Sequence, residues 1–208
     1  MFYRLFYIFS FLILGSILVA DEDTTKLLIY GDSISAGYGM DKDKQWSKEL
    51  QRILIEEKIS LTIINKSLSG ETTGGGLSRL EKIIDNFKPS YILIELGGND
   101  ALRGYPPVKI KNNIEHMINL AIARGVRVFL MQVRIPPNYG RRYQASFESL
   151  YREVSEDNNI PLVPFMLNDI ALNKELMLDD GIHPNEAAQP LIAKFIFTNL
   201  LPLMREVD

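Results

Sequence analysis

LLIYGDSISAGYGM, residues 27–40, is the stretch on which the reading of this chain turns. Leu27, Leu28, Ile29 and Tyr30 form an apolar run that does not alternate with polar residues and stops at Gly31, Asp32 and Ser33. A short continuous apolar run closed by turn residues is the pattern of a strand buried on both faces, as in a parallel sheet. Gly37 and Gly39 mark places where the chain turns sharply or approaches something closely. A polar triplet directly after such a strand lies at its carboxyl edge, where open α/β sheets place their ligands. Ser33 is therefore the leading candidate for a nucleophile, although Gly-Asp-Ser taken alone is also ordinary turn composition.

The rest of the chain repeats the pattern. Residues 45–58 carry Trp46, Leu50, Ile53 and Leu54 at helical spacing with charges between them. LTIIN at 61–65 reads as a second strand, followed by the polar stretch 67–73. Glycines 74–76 read as a loop leading into a helix that ends near Phe87, before Pro89. YILIEL at 91–96 is a third strand, followed at once by Gly97, Gly98, Asn99 and Asp100. A helix over 108–124 stops at Gly125, and 126–132 forms a fourth strand. A Pro- and Gly-containing loop over 134–142 precedes a helix over 144–158 and a short strand at 162–165. A helical stretch over 169–177 and a final helix from about Asn185 complete the chain. Strands alternate with helices, so the fold class is α/β, a parallel sheet covered on both faces. Residues 24–206 read as one domain without repeat or interdomain linker.

Composition narrows the chemistry. At 46% hydrophobic and 24% charged residues, the 208-residue chain has ordinary globular composition. The net charge of −3 is spread along the sequence, without the clustered basic face a nucleic-acid partner requires. There is no cysteine, which removes disulfides, thiolate nucleophiles and Cys-based metal sites. His116 and His183 are the only imidazoles. No metal or organic cofactor is expected.

Residues 1–20 stand apart. One early charge, Arg4, precedes an apolar run that ends at the acidic residues 21–23, the pattern of a secretory signal peptide with cleavage after Ala20. An uncleaved anchor is the competing reading, since Leu18 occupies a place where a small residue is usual. The expected location is the periplasm or another exported compartment, with no stable membrane span after cleavage. A monomer is expected, with a weak dimer as its alternative.

Polar triplets follow three successive strands, at Gly31-Asp32-Ser33, Ser69-Gly70-Glu71 and Gly98-Asn99-Asp100. In a parallel sheet all three converge on one edge. Near the C-terminus Asp180 and His183 are three residues apart, close enough for the carboxylate to reach the imidazole. A serine hydroxyl is a poor nucleophile at neutral pH; a histidine of reference pKa about 6.5 can take its proton and return it to a leaving group. A carboxylate fixes the imidazole tautomer, and N–H donors hold the oxyanion that forms. Ser33 N–H, Gly70 N–H and the Asn99 side-chain amide are the candidate donors.

At these residues the chain resembles the SGNH (GDSL-type) hydrolases, whose four blocks stand here in order as GDSISAGYG, SLSGETTGGG, LGGNDALRG and DGIHP. LMQVRIPPNYGRRY and DDGIHPNEAAQP are similar to the branch that contains the multifunctional thioesterase/lysophospholipase enzymes of Gram-negative bacteria. The resemblance implies a three-layer α/β/α flavodoxin-like fold with a five-stranded parallel sheet. It implies Ser33 as nucleophile, His183 as base, Asp180 as orienting acid, and Ser33, Gly70 and Asn99 as the oxyanion hole. It also implies hydrolysis of acyl esters and thioesters: fatty acyl thioesters, lysophospholipids and simple fatty esters.

Other features take plainer readings. His116, on an amphipathic helix, is structural or superficial. Asp179 is the rival of Asp180 but lacks the spacing to His183. Asp32 caps or braces its turn. Glycines 74–76 invite a phosphate-loop reading, but no Gly-Lys-Ser/Thr follows. Arg134, Arg141 and Arg142 suit a solvated loop face as well as an anionic head group. The resemblance implies that residues 102–107 form a loop that closes over an acyl chain. Two rival functions remain on this reading: a carbohydrate O-acetylesterase acting on envelope sugars with the same residues, and a non-enzymatic flavin- or nucleotide-binding module on the same fold.

Overall fold

The computed structural model describes residues 25–206; the segment 1–20 read as a leader lies outside the described residues. Five parallel strands run β1 (Thr25–Gly31), β2 (Leu61–Asn65), β3 (Tyr91–Glu95), β4 (Arg127–Met131) and β5 (Leu162–Val163). They lie in the order β2-β1-β3-β4-β5. Ile29 is in register with Asn65 on one side and Leu93 on the other. Paired on both edges and covered on both faces, Leu27, Leu28, Ile29 and Tyr30 lose all contact with solvent, which is why the run does not alternate.

Successive side chains point to opposite faces. Leu27 and Ile29 join Leu93, Phe129, Met131 and Val163 against α2 (Trp46–Glu56) and α7 (Gln189–Glu206). Leu28 and Tyr30 join Ile92, Ile94, Val128 and Leu130 against α3 (Thr73–Phe87), α5 (Pro107–Ile122) and α6 (Arg141–Asn158). Helix α2 buries Trp46, Leu50 and Leu54, one stripe at a spacing of four. Among the described residues Glu186–Arg205 is long and apolar enough to cross a membrane. Its stripe of Ile192, Ala193, Ile196 and Leu200 is buried in the core beside α2, so it serves as a core helix.

Several local expectations are corrected. Glycines 74–76 form the first turn of α3, because Thr72 Oγ1 accepts from Gly75 N at 3.2 Å and caps the helix earlier. A Cβ on Gly76 would stand 2.6 Å from Leu96 Cδ1, so glycine lets α3 lie close to the sheet. The stretch 169–177 is not a helix; turns lead to a single 3₁₀ turn at Lys174–Leu176, whose start Asn173 caps by accepting from Glu175 N. Its apolar residues do not share a face: Ile170 is buried whereas Leu172 is 91% exposed. The final helix begins at Gln189 after a 3₁₀ turn at Glu186–Ala188 capped by Asn185. β5 has only two residues, flanked by Pro161 and Pro164, and Pro164 has no N–H to donate to a ladder.

Candidate active site

Strand order reverses between β1 and β3, the place where a doubly wound sheet opens a crevice at its carboxyl edge. Two short helices not expected from the sequence start there, α1 (Ser33–Ala36) after β1 and α4 (Gly98–Leu102) after β3. Asp32 is the N-cap of α1, its Oδ1 accepting from Ile34 N at 3.1 Å. Ser33 follows as the first helical residue, 9% exposed, with its hydroxyl at the floor of the cleft.

Ser33 Oγ lies 2.8 Å from His183 Nε2, and His183 Nδ1 lies 2.7 Å from Asp180 Oδ2. The acid and base stand on a loop held by backbone bonds. Leu178 N donates to His183 O at 2.8 Å and Gly181 N to Leu178 O at 3.0 Å, with Gly181 at φ 66°. Asn185 fastens the far side, donating from its side chain to Glu175 O at 2.8 Å. Asp180 Oδ1 accepts from the N–H groups of Ile182 and His183 at 2.9 and 3.0 Å. Burial alone would raise this carboxyl, but the His183 N–H, the His183 ring and the Ile182 N–H outweigh it and hold Asp180 at about 2. It stays ionised at any pH where an imidazole titrates.

Asn99, the second residue of α4, lines the same cleft and donates from Nδ2 to Asp32 Oδ2 at 3.1 Å. Gly70 sits in the turn after β2, closed by Glu71 N donating to Leu68 O at 3.1 Å. Its φ of 77° is one that side-chain-bearing residues rarely adopt. Arg103 Nη2 donates to Gly70 O at 3.2 Å and ties that turn to the end of α4. Gly70 is not among the residues that line the cleft. The relay thus joins Ser33, His183 and Asp180 directly, whereas Asn99 is bonded to Asp32, the residue before Ser33, and Gly70 is tied to Arg103. His116 is exposed on α5, away from these groups.

The cleft has a volume of about 450 Å³. Leu102, Val133, Ile135, Phe165, Leu167 and Met177 give it an apolar wall that ends at Ser33 and His183. Of the loop expected over 102–107, only Leu102 reaches it. Tyr105 instead packs against the core under α5 and α6, and its carbonyl accepts from Tyr143 Oη at 2.6 Å.

Three contributors escaped the sequence reading. Tyr38 stacks on His183 with ring centroids 4.4 Å apart; an aromatic residue between two turn glycines was the available signal. Glu95 is 2% exposed below the nucleophile and accepts from Ser35 Oγ at 2.7 Å. Its signal was an acid within an otherwise apolar strand. Gly31 is glycine on its account: a Cβ there would lie 3.0 Å from both Glu95 O and Ser35 Oγ. Burial first, and the Asp32 charge second, push the Glu95 carboxyl well above its usual range. Arg103 carried no signal in the sequence.

In sequence and fold the chain is similar to known hydrolases. The sequence model of the GDSL-like Lipase/Acylhydrolase family matches residues 29–190. An arylesterase of Vibrio mimicus is 45% identical over 182 residues, 88% of this chain and 91% of that protein. Thioesterase 1/protease 1/lysophospholipase L1 of Escherichia coli K12 is 39% identical over 94% of this chain and 92% of its own. The psychrotrophic esterase EstA from Pseudoalteromonas sp., in a crystal structure inhibited by monoethylphosphonate, superposes with a TM-score of 0.85 at 40% identity, covering 87% of this chain and 99% of that one.

Proposed function

The chain belongs to the GDSL-like lipase/acylhydrolase family, and from that premise we propose that it is a serine esterase that cleaves acyl esters and thioesters through an acyl-Ser33 intermediate. The observation that carries the reading is the unbroken relay from Ser33 Oγ to His183 Nε2 at 2.8 Å and from His183 Nδ1 to Asp180 at 2.7 Å. Ser33 Oγ attacks the acyl carbonyl while Nε2 takes its proton, and the ionised Asp180 holds the Nδ1 hydrogen and stabilises the imidazolium. Negative charge moves to the former carbonyl oxygen, where Ser33 N–H, the Asn99 amide and Gly70 N–H serve as donors. Collapse expels the alcohol or thiol with the proton from Nε2. A water activated by His183 then attacks the acyl-Ser33 ester and releases the acid.

The apolar wall suits a hydrocarbon acyl chain better than an acetyl group, and the relatives bear the names of an arylesterase and a thioesterase/lysophospholipase. A sugar O-acetylesterase is therefore not favoured, and a non-enzymatic module has no support. Residues 1–20 support export, which would place the enzyme among lysophospholipids and other envelope esters rather than cytoplasmic acyl-CoA. All three relay residues come from one chain, so a monomer suffices.

Activity across acyl length and leaving group, with Ser33→Ala as control, tests the reaction. Labelling of Ser33 by a fluorophosphonate and loss of activity in Ser33→Ala are expected; hydrolysis by Ser33→Ala would refute it. Amino-terminal sequencing of exported protein should begin at Asp21, and finding Met1 would refute cleavage. Sedimentation should give one chain per particle, and a stable dimer would overturn that part.

A further inference from the structure

The relay makes no use of the second carboxylate beside the nucleophile. Asp32 is 4% exposed and accepts one hydrogen bond on each oxygen, from Ile34 N and from Asn99 Nδ2, both at 3.1 Å. Gly98 allows this approach, since a Cβ there would stand 3.2 Å from Asp32 Oδ2. A side-chain amide has a donor end and an acceptor end of nearly equal shape. Facing an ionised carboxylate, which only accepts, it must present the nitrogen. We propose that Asp32 is a positioning residue for the oxyanion hole: it binds one hydrogen of the Asn99 amide and thereby turns the other toward the substrate oxygen. This rests on the acyl-transfer reading given above.

Only an ionised carboxylate meets the demand, because Ile34 and Asn99 both donate. A protonated Asp32, or an asparagine there, has one acceptor for two donors. The ionisable groups facing Asp32 are Glu95 on β3, Asp100 on α4, Tyr151 on α6 and His183 on its loop, of which only His183 can be cationic. Burial raises Asp32 to about 6, against the opposing pull of Ile34 N–H, His183 and Asn99. Burial, with the Asp32 charge beside it, pushes the Glu95 carboxyl well above its usual range.

A double-mutant cycle on a p-nitrophenyl ester tests the assignment. Asp32→Ser keeps an oxygen to cap Ile34 but is too short for Asn99. Asp32→Ser and Asn99→Ala should each lower kcat on the order of 10²-fold with KM within about threefold. The double variant should lose no more than about threefold beyond either single one, because both remove the same interaction. Losses that multiply, or wild-type kcat in Asp32→Ser, would overturn the proposal. Should Asp32→Ser not fold, Asp32→Asn decides: with one acceptor for two donors it should lower kcat on the order of 10²-fold alone and by no more than about threefold in the Asn99→Ala background. Wild-type kcat in Asp32→Asn would overturn the proposal. Ser33→Ala, run alongside, separates the two failures, since activity in that variant would remove the acyl-Ser33 reading itself.

Discussion

Tyr38 lies across the imidazole of His183, with ring centroids 4.4 Å apart and planes inclined by 32°. The ring covers one face of the base while Asp180 grips its edge. Aromatic pairs contribute roughly 0.5–1.5 kcal/mol beyond burial, enough to hold a ring in one rotamer. Tyr38→Ala should therefore lower kcat by about tenfold, and Tyr38→Phe should restore it. Steady-state kinetics of the two variants decide; an equal loss in Tyr38→Phe would assign the effect to the hydroxyl instead.

Asp180→Asn should be far more damaging. The new amide would keep one oxygen for the Ile182 and His183 N–H groups and turn its NH₂ toward His183 Nδ1. That face of the ring must then accept, so the proton moves to Nε2, which can no longer take one from Ser33. A loss on the order of 10⁴-fold in kcat is expected with KM little changed, as steady-state kinetics on a p-nitrophenyl ester would show. Because Asp180 is held at about 2, it stays ionised through the neutral range and adds nothing to the acid limb of the wild-type profile there.

Asp32 should leave a signature in stability as well. Its carboxyl is raised from 3.8 to about 6 on folding, so its contribution is fully present below the unfolded value of 3.8 and lost as pH rises through 6. The depressed Asp180 acts in another window, contributing above 3.8 and losing that contribution as pH falls through 2. Thermal unfolding should therefore shift upward by several degrees on going from neutral pH to about pH 5, and this rise should shrink in Asp32→Asn. Scanning calorimetry across that range checks it, and an undiminished rise in the variant would contradict the assignment.

Acyl preference should follow the wall that touches the cleft. Leu167→Trp fills part of it and should lower kcat/KM for long acyl chains by about tenfold or more relative to short ones, since one methylene in an apolar pocket is worth about 1–3 kcal/mol. Tyr105→Ala should leave the preference unchanged and only weaken the packing under α5 and α6, because that ring faces the core. A series of p-nitrophenyl esters of increasing length separates the two variants.

How much of this was legible in the sequence depends on how local the cause was. The strands were readable because complete burial leaves an unbroken apolar run, as in Leu27 to Tyr30. Asp180 and His183 were readable because their contact spans one turn of chain. The link between Asp32 and Asn99 was not, since 67 residues separate them and only the sheet order brings them together. The acyl wall was misplaced for a related reason. Tyr105 looks like a lid residue by composition, and only its packing against the core cluster of α5 and α6 shows that it faces inward.

The clamp that carries acid and base together also sets the order in which the molecule fails on heating. Ser33 and Asn99 are anchored beyond the buried carboxyl ends of β1 and β3, whereas Asp180 and His183 depend on a few loop bonds at the surface. Local opening of such a loop requires less free energy than unfolding the sheet. His183 and Asp180 would swing away as a pair, their mutual contact intact, and only the Ser33 contact would break. Heat should thus disengage the base from the nucleophile reversibly, so that esterase activity falls off several degrees before the circular-dichroism signal of the helices does and returns on cooling.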